Sequence, residues 1–228
     1  MYQKTYQIKG CPIIKFQSRE RLESLQKGLV YANTLSYYRK LEKQTGDTAV
    51  GDSFEGLFHV NEGIMIIPET GDKFVLNDEL IKTSASNDYV FCMFGILDNT
   101  ECFQFSDEQR ERMKSFGDSA LIILDSNEFV NRVKKAAEAE EYVVHFGKVN
   151  YIEPNIDYVD VMMSLREGMW RVAFYKRAMY KYQNECRFIF SPGKAGVEHL
   201  ELHIGDISDI SVILSVENAL NGMLKERH

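Results

Sequence analysis

The stretch Tyr89-Val90-Phe91-Cys92-Met93-Phe94-Gly95-Ile96-Leu97 is apolar at nearly every position. A strand with one wet face alternates apolar and polar side chains; a run without alternation suits a strand covered on both faces. It is far shorter than the roughly 18 apolar residues of a membrane span. It therefore predicts a central strand with layers above and below. Ala120-Leu121-Ile122-Ile123-Leu124 reads the same way.

Upstream, residues 11–16 predict a first strand, and Ser18 caps a helix that Gly28 ends. Residues 29–32 predict a second strand. Leu35, Tyr38 and Leu41 mark the buried side of a short helix. Residues 44–56 form a polar, glycine-rich loop. Residues 57–67 and 72–76 predict a hairpin.

Downstream, helices are expected over 106–116, with Ser106 as cap, and from Asp125 or Ser126 to 139. Strands are expected at 142–149, 185–190, 197–204 and 210–215. Residues 157–168, 170–176 and 216–226 read as helical. Strands and helices mix without βαβ alternation and without a linker. The expectation is one α+β domain over residues 1–228, with a mixed, mostly antiparallel sheet and flanking helices.

The chain has 228 residues, 44% of them hydrophobic and 27% charged, enough to bury a real core. Only 4 Pro and 15 Gly exclude collagen-like or disordered chains. The net charge of -7 argues against coating nucleic acid or an anionic membrane by global charge alone. Met1-Tyr2-Gln3-Lys4-Thr5-Tyr6 lacks the basic start and apolar run of a secretion signal. Cys11, Cys92, Cys102 and Cys186 form no C-x-x-C pair. The expectation is a cytoplasmic protein with reduced thiols, no membrane partner and no metal. Dinucleotide, P-loop, nucleophile-elbow and zincin motifs are missing.

The chemistry concentrates late. In Phe174-Tyr175-Lys176-Arg177-Ala178-Met179-Tyr180-Lys181-Tyr182-Gln183-Asn184-Glu185-Cys186-Arg187-Phe188-Ile189-Phe190, the first half is basic and aromatic. The second half reads as a strand with Gln183, Glu185 and Arg187 on one face and Cys186, Phe188 and Phe190 on the other. The plain alternative is an ion pair of Glu185 with Arg187 or Lys176 on a solvated face. Gly51-Asp52-Ser53-Phe54-Glu55-Gly56 places Asp52 and Glu55 in the polar loop, as ligand contacts or as an ordinary turn.

Together these boxes resemble a widespread prokaryotic domain family of uncharacterised biochemistry, with an N-D-P-[FL]-E loop and a late K…Y-E-x-E-W-R box. The matching residues are Lys15-Phe16, Gly28-Leu29-Val30-Tyr31, Gly51-Asp52-Ser53-Phe54-Glu55, Val90-Phe91-Cys92-Met93-Phe94 and Lys176 with Tyr182-Gln183-Asn184-Glu185-Cys186-Arg187. Ser53 stands in place of Pro, Gln183 of Glu and Cys186 of Trp. The family implies accessory or phage-defence gene islands.

Gln183-x-Glu185 also resembles the [QE]-x-E signature of ADP-ribosyltransferases. That resemblance implies NAD as substrate. Glu185 stabilises an oxocarbenium-like transition state and Gln183 orients the acceptor. Lys15 and Arg187 hold phosphate, and Tyr37 or Tyr38 stacks on a ring. Lys176, Tyr182, Asp52 and Glu55 complete the expected contacts.

Two rivals remain open on sequence. One is a Mg²⁺ nuclease using Asp52, Glu55 and Glu185, with Lys176 on the phosphate. The other is a non-catalytic nucleotide or nucleic-acid binding module, using Lys176, Arg177 and Lys181 with interleaved tyrosines. His199 and His203 share a strand face and do not form a helical metal pair.

Overall fold

The computed structural model describes residues 6–45, 57–60, 63–66, 70–76, 79–82, 87–96, 102–153, 161, 163–192 and 198–225. The chain begins with β1 (Ile13–Gln17), α1 (Arg19–Gln26), β2 (Leu29–Thr34) and α2 (Leu35–Thr45). A nested hairpin follows: β3 (Leu57–Val60) pairs β6 (Glu79–Lys82), and β4 (Gly63–Ile66) pairs β5 (Lys73–Leu76) inside it. Then come β7 (Tyr89–Gly95), β8 (Cys102–Gln104), α3 (Asp107–Met113), β9 (Ser119–Ile123), α4 (Ser126–Ala139), β10 (Tyr142–Lys148) and β11 (Asn150–Ile152). Short 3-10 turns lead to β12 (Tyr175–Arg177) and β13 (Glu185–Pro192). The described chain ends with β14 (His199–His203), β15 (Ser211–Ser215), α5 (Val216–Leu220) and β16 (Met223–Lys225).

An eight-stranded antiparallel sheet organises these elements, in the order β10-β13-β7-β1-β9-β15, with β2 joining β7 and β14 joining β2. The fold is α+β, as the sequence predicts. Strand β7 is central and covered on both faces. Tyr89, Phe91 and Met93 enter a core closed by Leu22 and Leu25 of α1 and Phe129, Val133 and Ala137 of α4. Phe94 enters a second core under α3 and α5, and Val90 a third under Leu35 of α2. Burying a chain of large apolar side chains at ~1.5–3 kcal/mol each is what holds the layers on the sheet.

Local chemistry sets the helix ends. Ser106 accepts from the Gln109 amide while the Gln109 side chain accepts from Ser106 N, a full capping box. Asp125, not Ser126, caps α4 by accepting from Glu128 N. Ser18 stands at the start of α1 but makes no side-chain cap; Asp118 Oδ1, far along the chain, accepts from Arg19 N at 3.0 Å. Gly28 ends α1 at φ 101°, and a Cβ there would lie 2.3 Å from the Gly205 carbonyl oxygen.

Two helical expectations shorten. The 170–176 segment is a 3-10 turn to Phe174 and then β12, which pairs β11 in parallel. The last helix stops at Leu220, after which β16 pairs β8.

The feature that positions the site is a fork in the sheet. On one side β7 is paired continuously to β13. On the other, β1 meets only its end, with Ile14 opposite Phe94, and β2 only its start, with Asn33 opposite Val90. Strand alternation turns the peptide groups of Val90, Cys92 and Phe94 toward the same edge. Cys92 thus faces the fork. Lys15, on the departing strand, fills that place: its Nζ donates to the Cys92 carbonyl at 2.6 Å.

Candidate functional site

A cavity of about 700 Å³ opens at the fork. Strand β1 contributes Lys15, β2 contributes Tyr31 and Asn33, and β7 contributes Phe91 and Cys92. Helix α1 supplies Arg21 and Ser24, and α2 supplies Tyr37, Tyr38 and Leu41. Lys176, Gln183, Glu185 and Arg187 complete the lining. Residues from opposite ends of the sequence therefore share one chamber.

The four late residues form one buried network, at 5%, 2%, 7% and 1% exposure in that order. Such groups are seldom buried unless paired. Here each is paired. Lys176 Nζ donates to Glu185 Oε1 at 2.7 Å and to Gln183 Oε1 at 2.6 Å. Arg187 Nε donates to Glu185 Oε2 at 2.7 Å, and its Nη1 donates to the Ala173 carbonyl at 2.6 Å. The pairing expected of Glu185 is real, but it lies inside the protein and not on a solvated face.

Each member is aimed by its backbone. Lys176 stands in the middle of β12. Gln183 ends a 3-10 turn and is not in the strand; Asn184, left-handed at φ 41° and ψ 52°, swings the chain into β13. Asn184 Nδ2 donates to Gly95 O at 2.9 Å, and Asn184 O accepts from Gly95 N at 2.9 Å, which seats the start of β13 on β7. The Gln183 amide is fixed at both ends, with Nε2 donating to Tyr182 Oη at 3.1 Å. Tyr151 Oη accepts from the Glu185 backbone amide at 2.8 Å.

The charges follow from this geometry. Burial works to raise the Glu185 pKa, but Arg187 and Lys176 outweigh it and hold the carboxyl well below the usual range. Burial pulls Lys15 below its ordinary value, against the attraction of Glu185. Burial also pushes the Cys92 thiol up to about 12, so it stays protonated. Four basic side chains (Lys15, Arg21, Lys176 and Arg187) meet one carboxylate, leaving a chamber suited to an anion.

Of the expected site residues, Glu185, Gln183, Lys15, Lys176, Arg187, Tyr37 and Tyr38 all line the chamber. Tyr182 does not. It is buried behind the wall, with the Arg112 guanidinium 3.7 Å from its ring centre and Gln109 Nε2 donating to its carbonyl at 3.1 Å. It acts on the chamber through Gln183. Asp52 and Glu55 lie outside the described residues. Arg177 closes β12 and pairs Glu42 at 3.4 Å, and Lys181 lies in the 3-10 turn over 178–183.

Arg21 was not foreseen, because a single arginine on an amphipathic helix reads as solvated. Asn184 and Tyr151 were also missed; an Asn between two turn-forming segments was the only signal for the first. Among the described residues no group of three His, Cys, Asp or Glu side chains gathers to hold a metal. Among the same residues no helix is long and apolar enough to cross a membrane. Comparison with family models, with curated proteins and with solved structures finds no match.

Proposed function

We propose that this protein uses a nucleotide, with NAD as the substrate of an ADP-ribosyltransferase-type reaction at the fork. One observation carries the reading: Gln183-x-Glu185 opens into a chamber whose lining sets four basic side chains against one carboxylate, with three tyrosines on its wall. Lys15 and Arg187 attract the diphosphate. Tyr37 and Tyr38, edge to face at 5.5 Å, offer rings for stacking. Glu185 is kept ionised by its neighbours, the state needed to stabilise a developing oxocarbenium charge. Gln183, locked by Lys176 and Tyr182, orients the acceptor. Membership of the prokaryotic family, and a phage-defence or toxin role, are proposals resting on the sequence boxes.

A second reading is a binding module without catalysis. The observation favouring it is that both oxygens of Glu185 already accept from cations. In that case the chamber holds a nucleotide and breaks no bond.

The test is nicotinamide release from NAD by purified protein, beside Glu185→Asp. That variant keeps the charge and withdraws the carboxylate by one methylene, about 1.5 Å. Release that falls 100-fold or more in a folded variant supports transfer, about 2.7 kcal/mol of lost transition-state stabilisation. Melting raised by NAD or ADP-ribose without release supports the binding module. Neither release nor stabilisation sinks both.

A further inference from the structure

We propose that Lys15 is an imine-forming lysine, whose ε-amine condenses with the carbonyl of a small anionic aldehyde or ketone held in the chamber. This rests on the anion-binding character of the cavity, but not on NAD as its occupant.

Three observations converge on Lys15. It lines the cavity, on the strand that leaves the sheet at the fork. Its amine touches a neutral carbonyl and the face of Phe91, 4.8 Å from the ring centre. Among the described residues no carboxylate forms an ion pair with it. Lys176 differs on that last count. It is tied to Glu185 and Gln183 and so is held as a cation.

A lysine acts as a nucleophile only when its amine is unprotonated, which a desolvated site beside other cations favours. Burial, the largest effect, pushes Lys15 toward the neutral form and Arg21 adds to it, while Cys92, Glu185 and Cys186 oppose them. Arg21, Lys176 and Arg187 remain as cations for the phosphate or carboxylate of the ligand. The step balances without a co-reactant. The Nζ lone pair attacks the carbonyl carbon to give a carbinolamine, which loses one water to leave the C=N bond.

Pyridoxal 5′-phosphate, an anionic aldehyde, is the probe. Wild-type protein is incubated with it near neutral pH, reduced with borohydride and mapped by mass spectrometry. The same labelling is repeated with ADP, which has charge and a ring but no carbonyl. Lys15 is expected to label ahead of the exposed lysines, since a lowered pKa raises the unprotonated fraction. Lys15→Arg keeps a donor at the Cys92 carbonyl, cannot form an imine, and should fold without the fast label. Even labelling of surface lysines with no excess at Lys15 overturns the proposal. Fast Lys15 labelling that ADP does not block supports the imine and counts against the nucleotide reading. Stabilisation by ADP with Lys15 unlabelled does the reverse.

Discussion

Replacing Glu185 with Gln leaves two buried cations without a counter-ion. Both carboxylate oxygens are used, one by Lys176 and one by Arg187, and the side chain is 9% exposed. Removing one partner of a buried ion pair costs about 3–5 kcal/mol, because the remaining charge stays desolvated. For a domain of this size each kcal/mol lowers Tm by about 2–4 °C. Glu185→Gln should therefore melt about 6–20 °C below wild type in a circular dichroism scan at neutral pH. Adding Lys176→Met should restore some of the loss, since one orphaned cation is gone; a coupling of about 1–3 kcal/mol is expected from the cycle. Acid supplies a second reading. A carboxyl whose folded pKa lies below its unfolded value gives stability that is present above the unfolded value of 4.5 and lost as pH falls toward the folded one. The acid limb of the wild-type stability curve should flatten in Glu185→Gln. A variant that melts within about 2 °C of wild type, with an unchanged acid limb, would refute the network as a source of stability.

Asp88 gives the opposite sign. Burial raises its pKa from 3.8 to about 6, so its ionisation opposes folding as pH rises from 4 to 6. Asp88→Asn should raise urea-unfolding stability at pH 7 by up to about 3 kcal/mol and remove that slope. Asn184→Ala forces a residue with no local hydrogen bond into a left-handed turn and removes the clamp on Gly95; a loss of about 1–3 kcal/mol in urea is expected, and none would mean the turn relaxes freely. Gly28→Ala drives a Cβ into the Gly205 carbonyl at a positive φ, and should cost on the order of 2–4 kcal/mol in the same assay.

The architecture was legible where burial dominates the residue choice. Strands β7 and β9 announce themselves by unbroken apolar runs, and α3 by its Ser106 box. The chemistry of Lys176, Gln183, Glu185 and Arg187 was legible by type, because the sequence has few other places where an amide, a carboxylate and two cations crowd together. The geometry of that group was not. Period-two spacing put Gln183 in the strand, whereas the Asn184 turn intervenes and Lys176 draws the two side chains together regardless. The fork was hidden because it depends on which strand edge pairs with which, a choice made by residues dozens of positions apart. The same holds for β16, where 223–225 continue a helical pattern but find a strand partner in β8.

Helix α1 runs directly from one arm of the fork to the other, so it is a strut as well as a core element. Its eight residues rise about 1.5 Å each, a length of about 12 Å. Both ends are tied, one by Asp118 and one by Gly28 against Gly205. Arg21, Leu22, Ser24 and Leu25 of this strut line the chamber. Adding one helical turn would lengthen that span by about 5.4 Å, and the melting temperature of such a variant would read how far Leu22 and Leu25 still close the core over β7.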